Sequence, residues 1–222
     1  MHDMDLMRDG VRFGACEITA AADTTSIELW NVANGSGERW IETEIAGGWV
    51  LSLAPRCKVK KLKQRAPSLL YRLEADASDR EAGALLQGLG VVDAHRSDTD
   101  FPGSIYLTID RNHALTGGLT GETGDELVTW FNHWVRQPDL EHNLAKLAAV
   151  DRAERHLFVL MPGFTSAPFS VSDLLARAAA PLPDAAPDLP PELTHLWFMS
   201  TWNAGGIFHW SPTGWARFDK LV

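Results

Sequence analysis

Acidic side chains lie on both arms of a β-hairpin that the first twenty residues predict. The dipeptide Asp9-Gly10 signals a tight turn, because both residues tolerate the positive φ that short hairpin turns require. Apolar residues at 11, 13 and 15 alternate with other types and predict a strand after the turn. Asp3 and Asp5 would lie on the first arm and Glu17 on the second. Carboxylates brought together repel one another unless a hard cation such as Mg²⁺ lies between them. This hairpin is therefore the candidate site for a metal-dependent reaction.

The register of the hairpin decides whether these carboxylates meet, and the sequence leaves two alternatives open. If the turn dipeptide alone forms the loop, Asp3 faces Cys16 and lies on the opposite side of the sheet from Glu17. If Arg8 joins a three-residue loop that contains a bulge, Asp3 faces Ala15. Asp3 and Glu17 then become diagonal neighbours on one face, roughly 7–8 Å apart. Only the second alternative builds a shared site.

The order of an Asp, a hairpin and a strand ending in Glu-x-Thr resembles the PD-(D/E)xK nuclease superfamily. It is also similar to uncharacterised actinobacterial proteins in which Pro-Asp, an Asp-Gly turn and an apolar strand ending in Glu-Val-Thr follow one another. The corresponding segments are His2-Asp3, Asp9-Gly10 and Ala15-Cys16-Glu17-Ile18-Thr19. Residues 143–146, residues 156–159 and the closing strand pair resemble the same proteins. Thr19 departs from the superfamily, which has a lysine there, and the helix that precedes its first strand is not found ahead of Asp3.

The resemblance implies a restriction-endonuclease-like core that hydrolyses phosphodiester bonds with Mg²⁺. Asp3 and Glu17 would hold the cation, and the backbone carbonyl of Ile18 would be a third ligand. Thr19 could orient water but cannot supply an ammonium group. Lys58 or Lys60, at the end of the next strand, is the candidate for a lysine that has migrated to replace it. The alternative is a catalytically inactive version of the fold that acts as a binding or interaction module, which the threonine and the missing helix favour.

Positive charge is concentrated in a single segment of an otherwise acidic chain. The formal net charge of −9 opposes general affinity for nucleic acid. The basic segment consists of Arg56, Lys58, Lys60, Lys61, Lys63 and Arg65. It is either a patch that contacts the phosphates of a nucleic-acid backbone or a solvated strand end that runs into a helix start.

No other pattern in the sequence predicts a site. The eight histidines have no metal-ligand spacing, so no zinc site is predicted, and we expect His195 and His209 to pack or to hydrogen-bond on strands. Cys16 should be a buried, unreactive thiol, and two cysteines without a framework favour a reducing cytoplasm. The aromatic residues Trp202, Phe208, Trp210 and Trp215 either form a stacking platform or cover a sheet edge.

The fold class follows from strands that alternate with helices along 222 residues, 45% of them hydrophobic. The pattern predicts one mixed α/β domain over residues 1–222, with a central mixed sheet flanked by helices and a C-terminal β-hairpin. Its nuclease-like core would span 1–110, and 111–222 would add a helical segment and strands that pack on it. Helices are expected after Asp23 or Thr24, from Pro67 and after Asp79. The sequence shows no apolar run of about 18 residues and no secretory signal.

Overall fold

The structure is a computed structural model that describes residues 2–35, 40–97, 101–118, 120–202 and 204–220, without the side chains of 113 and 114. The chain divides into two compact units. The outer unit comprises residues 1–22 and 113–222, and the inserted unit comprises residues 23–112. The N-terminal hairpin therefore belongs with the C-terminal half of the chain, a division different from the predicted 1–110 and 111–222.

Strands and helices alternate irregularly along both units. The strands are β1 (Met4–Arg8), β2 (Val11–Ala20), β3 (Trp40–Ile41), β4 (Gly48–Leu53), β5 (Val91–Ser97), β6 (Ser104–Ile109), β7 (Glu154–Met161), β8 (His195–Ser200), β9 (Ile207–Ser211) and β10 (Gly214–Phe218). The helices are α1 (Thr24–Asn34), α2 (Val59–Ala75), α3 (Arg80–Gly88), α4 (His113–Thr116), α5 (Asp125–Trp134), α6 (Glu141–Ala148) and α7 (Phe169–Ala176), with a 3₁₀ turn at Pro138–Leu140.

The outer unit is built on a six-stranded sheet in the order β1-β2-β7-β8-β9-β10. Strands β2, β7 and β8 run parallel, and β1, β9 and β10 add antiparallel pairs at the two edges. The strand β7 is apolar over most of its length, as expected for a parallel strand with neighbours on both sides. The predicted mixed α/β class, the mixed sheet flanked by helices and the C-terminal hairpin are confirmed.

The two faces of this sheet differ, because successive side chains along a strand point in opposite directions. One face carries fully buried residues such as Leu157, Phe198 and Phe208, which pack with Phe131 of α5 and Leu174 of α7. Burying an aromatic or aliphatic side chain of this size contributes about 1.5–3 kcal/mol. The other face, which we call the open face, has an apolar groove of about 460 Å³. The groove is lined by Met4, Leu6, Cys16, Ile18, Phe158, Leu160, Trp197, Met199 and Ile207.

The inserted unit has a four-stranded sheet in the order β3-β6-β4-β5 and a core of its own. Asp23 caps α1 through a hydrogen bond from the Ser26 N–H, and Asp79 caps α3 through one from the Ala82 N–H, as predicted. The helix predicted from Pro67 begins eight residues earlier, at Val59. Burial of its apolar face outweighs the single hydrogen bond that an internal proline removes.

Candidate active site

The hairpin adopts neither predicted register along its whole length. Its loop has two residues, both with positive φ: 52° at Asp9 and 79° at Gly10. A register shift in the middle of β1 then leaves Phe13 without a partner, so that Met4 pairs with Cys16. Asp3 precedes β1 and is exposed; extending this register by one step would place it opposite Glu17. The bulge thus gives a register in which the two acids would share a side, as the second alternative required, although the turn is that of the first.

Glu17 is buried on the helix-covered face of the sheet, with only 1% of its surface exposed. Its Oε1 accepts a hydrogen bond of 2.9 Å from the amide of Asn143 and forms an ion pair with the ammonium group of Lys146. Both partners lie on α6, three residues apart and hence on one face of the helix. Oε2 of Glu17 is buried and has no hydrogen-bond partner among the described residues. Burying an unpaired carboxylate oxygen is costly, so this atom is available for a ligand.

The carboxylate of Asp3 lies at the end of β1, beside the backbone of β2. Its Oδ2 accepts a 2.9 Å hydrogen bond from the N–H of Ile18, the residue after Glu17. The N–H and C=O of one strand residue point to the same side, so the Ile18 carbonyl also faces the edge where Asp3 lies. Asp5 is held differently, since its carboxylate is paired with His2 and with Arg12.

Lys146 lies within electrostatic reach of both acids. The hydrogen bond to Glu17 raises the pKa of Lys146, and the charges of Glu17 and Asp3 raise it further, against the opposing effect of desolvation. The same two acids act on Cys16, where burial raises the pKa of the thiol to about 11 and their charges add to the effect. The prediction that Cys16 is buried and unreactive agrees with this environment.

The structure therefore brings together three of the predicted site residues, Asp3, Glu17 and Ile18. Thr19 lies two residues beyond Glu17 on the same strand face and is half-buried. The cation beside Glu17 is Lys146 and not the predicted Lys58, which belongs to the inserted unit. The spacing of Asn143 and Lys146 on α6 was visible in the sequence. Their proximity to a residue more than 120 positions earlier follows only from the packing of α6 on β2.

The predicted phosphate-contacting residues surround the start of α2. Arg56, Lys58, Lys60, Lys61 and Lys63 are all exposed, and the first turn of this helix contains no acidic residue. Lys63 also donates a hydrogen bond of 2.8 Å to the carbonyl of Ala33. Positive charge at a helix N-terminus is unfavourable for the helix, so the cluster does not stabilise α2. Its exposure fits both alternatives, a solvated helix start and a surface that a phosphate backbone could contact.

The histidines do form a cluster, contrary to the sequence prediction. On the open face of the outer unit, the rings of His156 and His195 stack at 4.2 Å, and His209 lies 5.6 Å from His195. Burial, together with a smaller effect of the neighbouring imidazoles, lowers the pKa of His156 and of His209 to about 4 each. Burial also lowers the pKa of His195. Parallel pairing of β7 with β8 places His156 directly beside His195, which sequence spacing alone could not reveal.

The C-terminal aromatic residues mostly serve packing. Phe208 is fully buried, and Trp210 and Trp215 pack against the same core with ring centroids 5.4 Å apart. The indole of Trp215 also donates to the carbonyl of Ala185. These three residues pack in or against the core of the outer unit, whereas Trp202 is 60% exposed.

Comparison with protein-family models, with curated proteins and with solved structures finds no match for this chain. No helix in the described part of the chain has the length and apolar character needed to cross a bilayer. The chemistry of the site must therefore be argued from its geometry.

Proposed function

We propose that the outer unit is a restriction-endonuclease-like domain that hydrolyses phosphodiester bonds of nucleic acid with Mg²⁺. The observation that carries the proposal is the environment of Glu17: Lys146 pairs with Oε1, Oε2 is buried with no hydrogen-bond partner among the described residues, and Asp3 accepts from the N–H of the next residue, Ile18. A carboxylate pair with an adjacent ammonium group is the donor set that the resemblance implied, with the lysine supplied by α6 instead of β2.

The residues present fit a small hard cation. Glu17 offers Oε2, Asp3 offers the oxygen that does not bind Ile18, and the Ile18 carbonyl is directed to the same edge. Mg²⁺ prefers oxygen ligands of these types and keeps several waters. When bound, the cation would polarise a phosphate and lower the pKa of a bound water.

The remaining side chains have roles that follow from their contacts. Asn143 fixes the orientation of the Glu17 carboxylate by donating to Oε1. Lys146 stays protonated near neutral pH, since its pKa is raised, and its ammonium group stabilises negative charge that develops on a phosphate. Thr19, two residues along the strand, can hold a water by its hydroxyl group.

The basic segment of the inserted unit, Arg56, Lys58, Lys60, Lys61 and Lys63, is by itself a second surface that could contact the phosphates of nucleic acid. These side chains offset locally the unfavourable net charge of −9. Both cysteines are free thiols, which is compatible with the reducing cytoplasm that we assign to this protein.

The test is cleavage of single- and double-stranded DNA and RNA by the purified chain with Mg²⁺ or Mn²⁺. We expect Glu17→Gln to lower the cleavage rate by at least about 100-fold, and Lys146→Met to lower it comparably. Glu141→Gln is the matched control, because Glu141 is exposed on the same helix as Lys146. Absence of cleavage of every substrate with either metal, by protein shown to be folded, would contradict the proposal.

A second candidate function is a catalytically inactive module of the same fold that binds a partner. The observation favouring it is the burial of Glu17 to 1% exposure, with two α6 side chains already on Oε1. A buried ion pair of this kind also occurs in purely structural roles. Calorimetry separates the two functions: Glu17-dependent binding of Mg²⁺ at millimolar concentration excludes the inactive module, and its absence favours that module.

A further inference from the structure

We infer that Glu154, His156 and His195 form a second metal site, for a late first-row divalent cation such as Zn²⁺. One ligand atom from each residue lies within 4.8 Å of the others. The three residues stand at the starts of β7 and β8, on the open face of the sheet. Glu17 points to the covered face, so this site is separate from the proposed magnesium site and does not depend on it.

Two of the three spacings between the ligand atoms are close to those of a coordination shell. Oε2 of Glu154 lies 3.0 Å from Nε2 of His156 and 3.7 Å from Nε2 of His195. Bonds of about 2.0–2.2 Å in a tetrahedral shell place neighbouring ligand atoms roughly 3.3–3.6 Å apart. The backbone sets this spacing, because β7 and β8 pair in parallel with His156 beside His195, and Glu154 precedes His156 by two residues on the same face.

His195 can present a ring nitrogen to Glu154 while its other ring nitrogen is hydrogen-bonded. Nδ1 of His195 lies 2.8 Å from Oγ1 of Thr194. Oγ1 also accepts from the N–H of Arg155 and lies 3.2 Å from the Arg155 carbonyl, so its one hydrogen goes either to that carbonyl or to Nδ1. When it goes to the carbonyl, Nδ1 carries the ring proton and Nε2 presents a lone pair towards Glu154, an arrangement typical of metal-binding histidines.

His156 is held in the opposite tautomer by Trp197. The indole Nε1–H can only donate, and it lies 3.0 Å from Nδ1 of His156. The proton of the neutral imidazole is therefore on Nε2, where it is donated to Glu154. Binding a cation at Nε2 requires this proton to move to Nδ1 and the bond to Trp197 to break. Trp197 is half-buried on the open face and stacks on His209 with ring centroids 3.8 Å apart, so metal binding must also displace this contact.

The types of donor atom, their number and the neighbouring His209 fit this assignment. Imidazole nitrogens with one carboxylate favour zinc and its neighbours in the first transition row over Mg²⁺. Three protein ligands also leave one position of a tetrahedral shell for water or a small ligand. Next to the three ligands, His209 has an Nε2 atom that is buried and has no hydrogen-bond partner among the described residues.

The experiment uses the full-length, metal-free chain, titrated with Zn²⁺ in calorimetry and with Co²⁺ in visible absorption. We expect one site per chain, and His195→Gln should weaken the affinity by at least about 10-fold. Trp197→Phe should strengthen it by about fivefold, because the competing hydrogen bond is gone. A role of Trp197 in packing alone would not increase the affinity.

Controls separate this site from other zinc ligands and from the proposed active site. His142→Gln alters an exposed histidine elsewhere, and Glu17→Gln alters the proposed active site. Both variants should bind Zn²⁺ like the unaltered chain. The inference is overturned if binding is absent, if it survives His195→Gln unchanged, or if Trp197→Phe weakens it. Loss of binding on thiol alkylation alone, with the histidine variants unaffected, would also overturn it.

Discussion

Lowering the pH should reduce the stability of this protein more than it reduces the stability of a variant that lacks the imidazole of His156. This ring is 3% exposed, and its burial together with the adjacent His195 lowers its pKa from 6.5 to about 4. Between these values the unfolded chain binds a proton that the folded protein does not bind. The free energy of unfolding must therefore fall as the pH falls from about 6.5 to about 4.

The size of the effect follows from the two pKa values. A pKa of about 4 in the folded protein, against 6.5 in the unfolded chain, corresponds to at most about 3–4 kcal/mol of stability. Of this, about 2 kcal/mol should be lost between pH 7 and about pH 4.5. His195 and His209 add to the loss in the same direction, since burial also lowers their pKa values.

The assay is urea denaturation at both pH values, followed by far-UV circular dichroism. His156→Gln should lose about 2 kcal/mol less stability than the unaltered chain over this interval, whatever its stability at pH 7. His142→Gln, at an exposed position, serves as the control and should follow the unaltered chain. If His156→Gln loses as much stability over this interval as the unaltered chain, burial does not hold His156 neutral and the prediction is wrong.

Three further predictions concern the elements that support the two units. Gly10→Ala should destabilise by about 1 kcal/mol, because φ is 79° there, whereas Gly83→Ala in α3 should stabilise by about 0.5–1 kcal/mol. No atom lies within 4 Å of either new methyl group, so steric contact does not contribute to either effect. Melting temperatures that shift in the same direction for both variants would refute the backbone explanation. Asp23→Ala should cost about 1 kcal/mol by removing the cap of α1, and Asp23→Asn should cost less; equal losses in urea titrations would count against capping. Burial raises the pKa of Glu74, but hydrogen bonds from two backbone N–H groups and from an indole outweigh this and lower it. Glu74→Gln should therefore cost about 1–2 kcal/mol at pH 7, and the difference should shrink as the pH falls through that lowered pKa. A difference that is independent of pH would refute this assignment.

Local signals in the sequence predicted most of the elements. Asp9-Gly10 predicted the turn, because both residues accept positive φ. Asp23 and Asp79 predicted the helix starts, because their carboxylates can accept hydrogen bonds from the first free N–H groups of a helix. The apolar run 156–161 predicted a strand in the middle of a sheet, and β7 has neighbours on both sides. Each of these signals lies within a few residues of the structure that it produces.

The bulge at Phe13 shows where local reasoning failed. Two registers were derived from the loop length alone, and the structure combines the short loop of one with the carboxylate placement of the other. The choice depends on which side chains of β2 are buried against α6 and β7. Those elements lie more than a hundred residues away in sequence.

The sequence by itself determined the mixed α/β class, the N-terminal hairpin and the acids on its arms, because turn chemistry and alternation act over neighbouring residues. Only the tertiary structure decided that Lys146 stands beside Glu17 and that His156 stands beside His195. Both pairs arise when distant segments pack together, through α6 on β2 and β7 on β8. That packing is set by the burial of apolar surface over whole elements, which the spacing of residues along one chain does not encode.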